Sequence, residues 1–324
     1  MPPPARSPTT GPRRRALVVP LLLLPLLLLL LHLVSSPSSR PLPAPRKPNS
    51  QSRACDYSAG EWVRDPVAGS SLRYDHTCKE IFKGWNCIAN GKANARDLLG
   101  WRWRPAGGPE CELPRLDPRR FLERHGDTSI GFVGDSLNRN MFASLVCMLR
   151  GVSSEVRKWR PAGADRGFTF LRYNLTVAYH RTNLLVRYGR WSANPSGGTL
   201  ESLGYKQGYR VDVDIPDQTW VEACSFHDVL IFNTGHWWWA PSKFDPIRSP
   251  MLFFEKGGQL YLLYCHLLDW IWLFKTCTNV EARLVNQHLM KALEQSSFRV
   301  LDITRMSEFR ADAHPSTQLA EKTR

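Results

Sequence analysis

Gly134-Asp135-Ser136 is the tripeptide of this chain whose residue types and setting could do chemistry. A short apolar run, Ile130-Gly131-Phe132-Val133, precedes it, and Met141 to Leu149 after it reads as a helix. A serine at such a strand–turn–helix junction presents its hydroxyl clear of the sheet. The helix start beside it offers backbone N–H groups and the positive end of a dipole. Together these supply a nucleophile and donors for a tetrahedral oxyanion, which is what acyl transfer needs. Gly134 permits the tight turn. The bland alternative for the motif is helix capping, by Asp135 or by Ser136.

A serine nucleophile also needs a base, usually a histidine oriented by a carboxylate. A second apolar run, Asp228 to Phe232, ends in Asn233-Thr234-Gly235-His236, which places Asn233, Gly235 and His236 in the same cleft. Asn233 could donate a side-chain N–H to the oxyanion, or simply end the strand through its own backbone hydrogen bonds. Asp312-Ala313-His314 has the spacing that puts an acid and a base on one side of an extended segment. A polar tail without a partner is the preferred reading of it.

These residues need elements to hold them. A helical stretch from Val280 to Ser296 is followed by a third strand at Arg299 to Ile303. Strands alternating with helices argue for an α/β layer fold with a parallel sheet. Active residues of such sheets gather beyond the strand C-termini, where the motifs fall.

The formal charge of +14 suggests nucleic acid, but its distribution argues otherwise. Residues 1–53 carry eight Lys or Arg and no acid, leaving +6 spread over the rest without a basic run. Nucleic acid is therefore dropped as a partner. Ala16 to Val34 is uncharged and Leu-rich, just long enough to cross a hydrocarbon core of ~30 Å. Arg13, Arg14 and Arg15 before it predict a cytosolic tail at 1–15, a signal-anchor at 16–34 and a lumenal remainder. A cleaved signal peptide ending near Ser35-Ser36 is the rival, and it leaves the same residues in the lumen. The Pro/Ser-rich residues 35–53 read as a stem.

All eight cysteines follow the anchor, and an even count in a lumenal chain favours disulfides. No Cys-x-x-Cys pair is present, which argues against a zinc ribbon, and no metal site is expected. Asn174-Leu175-Thr176 is a glycosylation sequon. The 12 tryptophans include Trp62, Trp101, Trp103, Trp191, Trp237, Trp238 and Trp239 in exposed-looking contexts. Core packing is the ordinary reading; a platform for sugar rings, with Trp237 and Trp238 at the cleft, is the functional one.

Several ordered motifs resemble one family. Cys55-Asp56-Tyr57-Ser58-Ala59-Gly60-Glu61-Trp62-Val63, Asn86-Cys87-Ile88-Ala89-Asn90-Gly91 and Trp101-Arg102-Trp103-Arg104-Pro105 are similar to the opening of the plant trichome birefringence-like proteins, the PC-esterase group. Cys111-Glu112-Leu113-Pro114-Arg115, then Phe132 to Asn140 and Phe232 to Trp238, continue the likeness. It covers roughly Cys55 to Glu255 and resumes over Thr278 to Pro315.

The resemblance implies an SGNH-hydrolase-like three-layer α/β fold in a type II Golgi membrane protein. A Cys/Trp-rich subdomain at 54–115 would precede the catalytic domain at 116–324. It implies O-acetylation of cell-wall polysaccharide, xylan first and other hemicelluloses or pectin next. Acetyl would pass from acetyl-CoA or a relay carrier to Ser136 and then to a sugar hydroxyl, with no bound cofactor. Asn233 and the Ser136 N–H would hold the oxyanion. It also implies Cys55–Cys111 and Cys78–Cys147 bridges.

Two departures stand against it. The family's Asp-Cys-x-His-Trp-Cys block, which completes the triad, is not found through Arg324, and Asp312-Ala313-His314-Pro315 resembles the segment before that block. Gly257 to Cys277 is apolar and unlike the family's Gly-Gly-Asp-Trp region. Little or no activity is therefore expected of the chain as written. A non-catalytic polysaccharide-binding protein and an acetylesterase are the alternatives.

Overall fold

A computed structural model describes residues 55–65, 74–202, 204–239, 251–255, 259–261 and 280–310. β1 (Gly60–Arg64) and β2 (Trp101–Pro105) pair antiparallel in the Cys/Trp-rich region. Here tryptophan packs rather than displays. Trp103 is buried, meets Trp62 edge-on at 5.6 Å and donates from Nε1 to Tyr57 O at 2.9 Å. Disulfides join Cys55 to Cys111 and Cys78 to Cys147, the pairing that the family resemblance implied. The second bridge ties this region to the helix that follows the serine turn.

The principal sheet follows a short helix, α1 (Pro118–Arg124), whose cap Asp117 accepts from the Arg119 and Arg120 N–H groups. It holds β3 (Ser129–Gly134), β4 (Val156–Trp159), β5 (Arg166–Phe170), β6 (Leu175–Arg181) and β9 (Val229–Phe232). Its order is β4-β5-β6-β3-β9. The sheet is mixed rather than wholly parallel. β6, β3 and β9 run parallel, whereas β4 and β5 form an antiparallel hairpin against β6. β3 is buried along its whole length, as a central strand covered on both faces must be.

α2 (Ser136–Arg150) covers one face. Phe142, Val146 and Leu149 from α2 meet Phe132, Phe168, Phe170, Leu175, Val177 and Tyr179 there, in one apolar cluster. Two short helices, α3 (Gln218–Val221) and α4 (Ala223–Phe226), lie against the other face. The helix–sheet–helix layering is that of the expected α/β class.

A second sheet, in the order β11-β10-β8-β7, was not foreseen. It comprises β7 (Val186–Ser192), β8 (Gln207–Pro216), β10 (Met251–Glu255) and β11 (Gln259–Tyr261). Its strands leave the C-terminal ends of β6 and β9, so the excursions start from the edge that carries Ser136.

Near the C-terminus, α5 (Val280–Leu293) forms as expected and α6 (Thr304–Glu308) follows. The strand expected at Arg299–Ile303 is absent; those residues are irregular. Phe298 reaches the Phe232 ring at 6.2 Å, but Leu301 stays 58% exposed, so the segment has β-branched residues without a face to bury them. The anchor at 16–34 and the stem at 35–53 lie outside the described residues, as do Cys265, Cys277, Asp312 and His314. Among the described residues no helix is long and apolar enough to cross a membrane.

Candidate active site

β3 delivers the chain to Gly134, whose φ is +154°. A Cβ there would stand 2.1 Å from Asn233 Oδ1, so the approach of Asn233 demands glycine. Asp135 is the N-cap of α2, and its carboxylate accepts from Leu137 N at 2.8 Å. Ser136 is then the first helical residue, half-buried. Capping, the bland role open to either residue, falls to Asp135. Ser136 keeps its hydroxyl for other work, beside first-turn N–H groups that a helix leaves unpaired.

Asn233 clasps the turn. Asp135 N donates to Asn233 Oδ1 at 3.1 Å, and Asn233 Nδ2 donates to Asp135 Oδ1 at 3.0 Å. Asn233 N also donates to Val133 O at 3.0 Å, so the residue ends its strand as well. One amide hydrogen occupies Asp135; an amide carries two. Beneath the turn, buried Tyr179 shares its O–H between Gly134 O at 3.1 Å and Asp135 O at 3.0 Å. Burial drives the phenol far above the usual tyrosine range, offset in part by Arg139, so it remains a donor. Asn138, fully buried, bridges strands by donating from Nδ2 to Val133 O and to Ile231 O, each at 2.8 Å.

Residues 113–258 match the family described as "PC-Esterase: GDSL/SGNH-like Acyl-Esterase family found in Pmr5 and Cas1p", and residues 53–111 match the "PMR5 N terminal Domain". The chain is 53% identical to Protein trichome birefringence-like 13 of Arabidopsis thaliana, over 82% of this chain and 77% of that protein. It belongs to the trichome birefringence-like family. Protein trichome birefringence-like 12 of the same plant is 35% identical over 83% of this chain and 78% of its own length. Xyloglucan O-acetyltransferase 1, also from Arabidopsis thaliana, is 32% identical over 70% of this chain and 47% of its own.

In this trichome birefringence-like chain the Cys55–Cys111 bridge closes within the N-terminal match, and Cys78–Cys147 links it to the PC-esterase match. The loop after Asn233 folds back on itself. Trp238 N donates to Gly235 O at 2.9 Å, and the Trp238 indole N–H donates to Thr234 Oγ1 at 2.6 Å. Its ring stacks on Phe253 of β10, 6.3 Å between centroids, so one indole face is occupied by the second sheet. Trp237 is half-buried beside it, and His236 opens the 3-10 turn His236–Trp239.

The side chain of His236 lies outside those described. His180 and His227 are buried across the sheet from α2, with their Nε2 atoms 2.9 Å apart. Asn174 is exposed, in a left-handed conformation (φ 49°), at the turn entering β6. Since β6 runs parallel to β3, the sequon sits at the sheet edge opposite Ser136. Tyr179 and Asn138 are the site residues missed in the sequence; Asn138, two residues past the serine in the first helical turn, was the readable signal.

Proposed function

We propose that the protein to which this sequence belongs O-acetylates a cell-wall polysaccharide through an acetyl-Ser136 intermediate. The observation that carries the reading is the division of labour at the turn: Asp135 caps the helix and leaves Ser136 first in it. Ser136 Oγ attacks the acetyl carbonyl of the donor, its proton passes to a base, and the donor's acyl bond breaks, with the leaving group taking a proton. A sugar hydroxyl then attacks the acetyl carbon, the serine ester bond breaks, and the proton returns to Ser136. The Ser136 N–H and the second Asn233 amide hydrogen are the donors for the oxyanion in both steps. Kinship to a protein named Xyloglucan O-acetyltransferase 1 supports acetyl transfer to a polysaccharide, and xylan, which the family resemblance puts first, is the acceptor to try.

The setting proposed is the Golgi lumen, with residues 16–34 as the anchor and 35–53 as the spacer. A glycosidase-sensitive glycan on Asn174 in plant cells is expected, and an unmodified Asn174 in the mature protein would speak against it. The chemistry is tested by giving the full chain, and the same chain extended with the family's Asp-Cys-x-His-Trp-Cys block, an acetyl donor and xylan oligomers. Turnover is expected in the form that carries that block, and its loss there in Ser136→Ala. Asp312→Asn and His314→Gln should leave that turnover unchanged. Turnover surviving Ser136→Ala would sink the nucleophile, and acetate release without sugar ester would mean an esterase.

A further inference from the structure

Three arginines surround the serine turn. Arg139 stands three residues after Ser136, on the same side of α2. Arg181 pairs with Gly134 across the β3–β6 ladder. Arg166 pairs with Tyr179, whose hydroxyl supports the turn. The Arg139 guanidinium rests on the Phe82 ring at 4.3 Å, while its buried Nε meets no hydrogen-bond acceptor among the described residues. Burial holds its pKa below the usual arginine value; Arg181 and Arg166 push the same way, against Tyr179 and Asp135.

From Arg166 the positive charge continues into a cleft of about 510 Å³ lined by Lys79, Glu80, Lys158, Arg160, Asp165 and Arg166. Glu80, 6% exposed, lies under the cations: Arg150 reaches it at 3.1 Å, Lys158 at 3.5 Å and Arg166 at 3.9 Å. It anchors the basic side chains while 61% of Lys158 and 41% of Arg166 stay open to solvent. The cleft is large enough for a ligand of cofactor size. A neutral sugar chain makes no use of so many cations in one volume. Four cations against the two carboxylates Glu80 and Asp165 leave the lining net positive, and the phosphate groups of a ligand match that.

Building on the acyl-transfer reading, we propose that this cleft, continued through Arg166 to Arg139, binds the phosphate groups of the activated acyl donor. The donor's phosphates occupy the Lys158–Arg160–Arg166 end, and its acyl group points along α2 toward Ser136. Coenzyme A is the phosphate-bearing probe and pantetheine the same thiol arm without phosphate.

Binding to the full chain carrying Ser136→Ala is measured by calorimetry, so turnover plays no part. Coenzyme A is expected to bind at least tenfold more tightly than pantetheine and to weaken as salt is raised. Lys158→Ala with Arg166→Ala should cost about tenfold or more in its Kd, and Arg166→Lys should cost less than Arg166→Ala. Equal binding of coenzyme A and pantetheine would overturn the proposal, as would an unaltered Kd in the double variant with an unchanged melting temperature. Displacement of coenzyme A by an oligogalacturonate, but not by its methyl ester, would reassign the cleft to an acidic acceptor and also overturn it. Ser136-dependent acetylation from a phosphate-free acetyl thioester, without coenzyme A binding, would leave the function standing and remove only this subsite.

Discussion

The two faces of the principal sheet are held by different physics. Toward α2, the strands present Ile130, Phe132, Phe168, Phe170, Val177 and Tyr179, and volume does the work. Toward α3 and α4, the same strands present Gly131, Gly167, Thr169, Thr176, Ala178 and His180, which are small or polar, with buried Val133 beside them. There the contacts are specific. Trp159 Nε1 donates to Thr169 Oγ1 at 2.8 Å, which in turn shares a hydrogen bond with Thr176 Oγ1 at 2.9 Å. A Cβ on Gly131 would stand 2.6 Å from His227 Cδ2, so only glycine admits the histidine pair. One face tolerates repacking; the other depends on partners. Ser136 sits at the edge where β3 passes from this sheet into α2, so both faces bear on it.

The largest effect should come from the apolar face. Phe142 is 1% exposed and lies near three rings: Phe132 at 6.2 Å, Phe168 at 5.9 Å and Tyr179 at 6.1 Å. Phe142→Ala removes a whole ring from a packed site and should cost about 3–5 kcal/mol in urea unfolding. Tyr179 packs on that ring, so the support under Asp135 should loosen as well. A cost near 1 kcal/mol would show that this face collapses readily, and the contrast would fail.

Acid probes the other face. His180 Nδ1 lies 3.4 Å from Thr219 O and donates to it, so its Nε2 accepts from His227 Nε2–H. Both rings are thus neutral, and His227 Nδ1 meets no partner among the described residues. Burial, then the neighbouring His180, lowers the His227 pKa to about 4, against a weaker upward pull from Asp228. Burial lowers His180 too, opposed by Thr219 and Asp165. The unfolded chain takes up these protons near the ordinary value of about 6.5. Stability from the pair is therefore complete above that pH and lost as the pH falls toward 4. Urea midpoints at pH 7.5 and 5 should drop for the native chain and drop much less for His227→Phe. Parallel drops would place the acid lability elsewhere.

What could be read in the sequence followed from local signals. Gly134 to Ser136 announced a strand, a turn and a helix start, and all three are present. The family motifs carried the disulfide pairing. β6 escaped notice because Thr176 and His180 interrupt its apolar pattern; each is satisfied by a partner on another element, Thr169 and His227. Asn138 and Tyr179 escaped for the same reason, since their acceptors come from β3, from β9 and from the turn itself. The hairpin of β4 and β5 made the sheet mixed, and the polar run Val156-Arg157-Lys158-Trp159 gave little warning of a strand. Arg299 to Ile303 failed in the opposite sense. Its residue types favour a strand, yet none of the described strands pairs with it. Propensity proposes a strand, but a neighbour has to accept it.

The finest test of the contrast is Trp159→Phe. The substitution keeps most of the ring near Phe226, whose centroid is 5.9 Å away, and deletes the donor to Thr169. Thr169 and Thr176 can still bond each other, so no buried hydroxyl is stranded. The loss should then be that of one hydrogen bond, about 1 kcal/mol, seen as a fall of roughly 2–4 °C in Tm. Trp159→Ala removes the ring as well and should cost more. If Trp159→Phe costs nothing while Trp159→Ala costs several kcal/mol, this face is also held by volume. The hydrogen bonds would then set only the register of β4 and β5 against β6, and the division between the faces would be one of geometry rather than of energy.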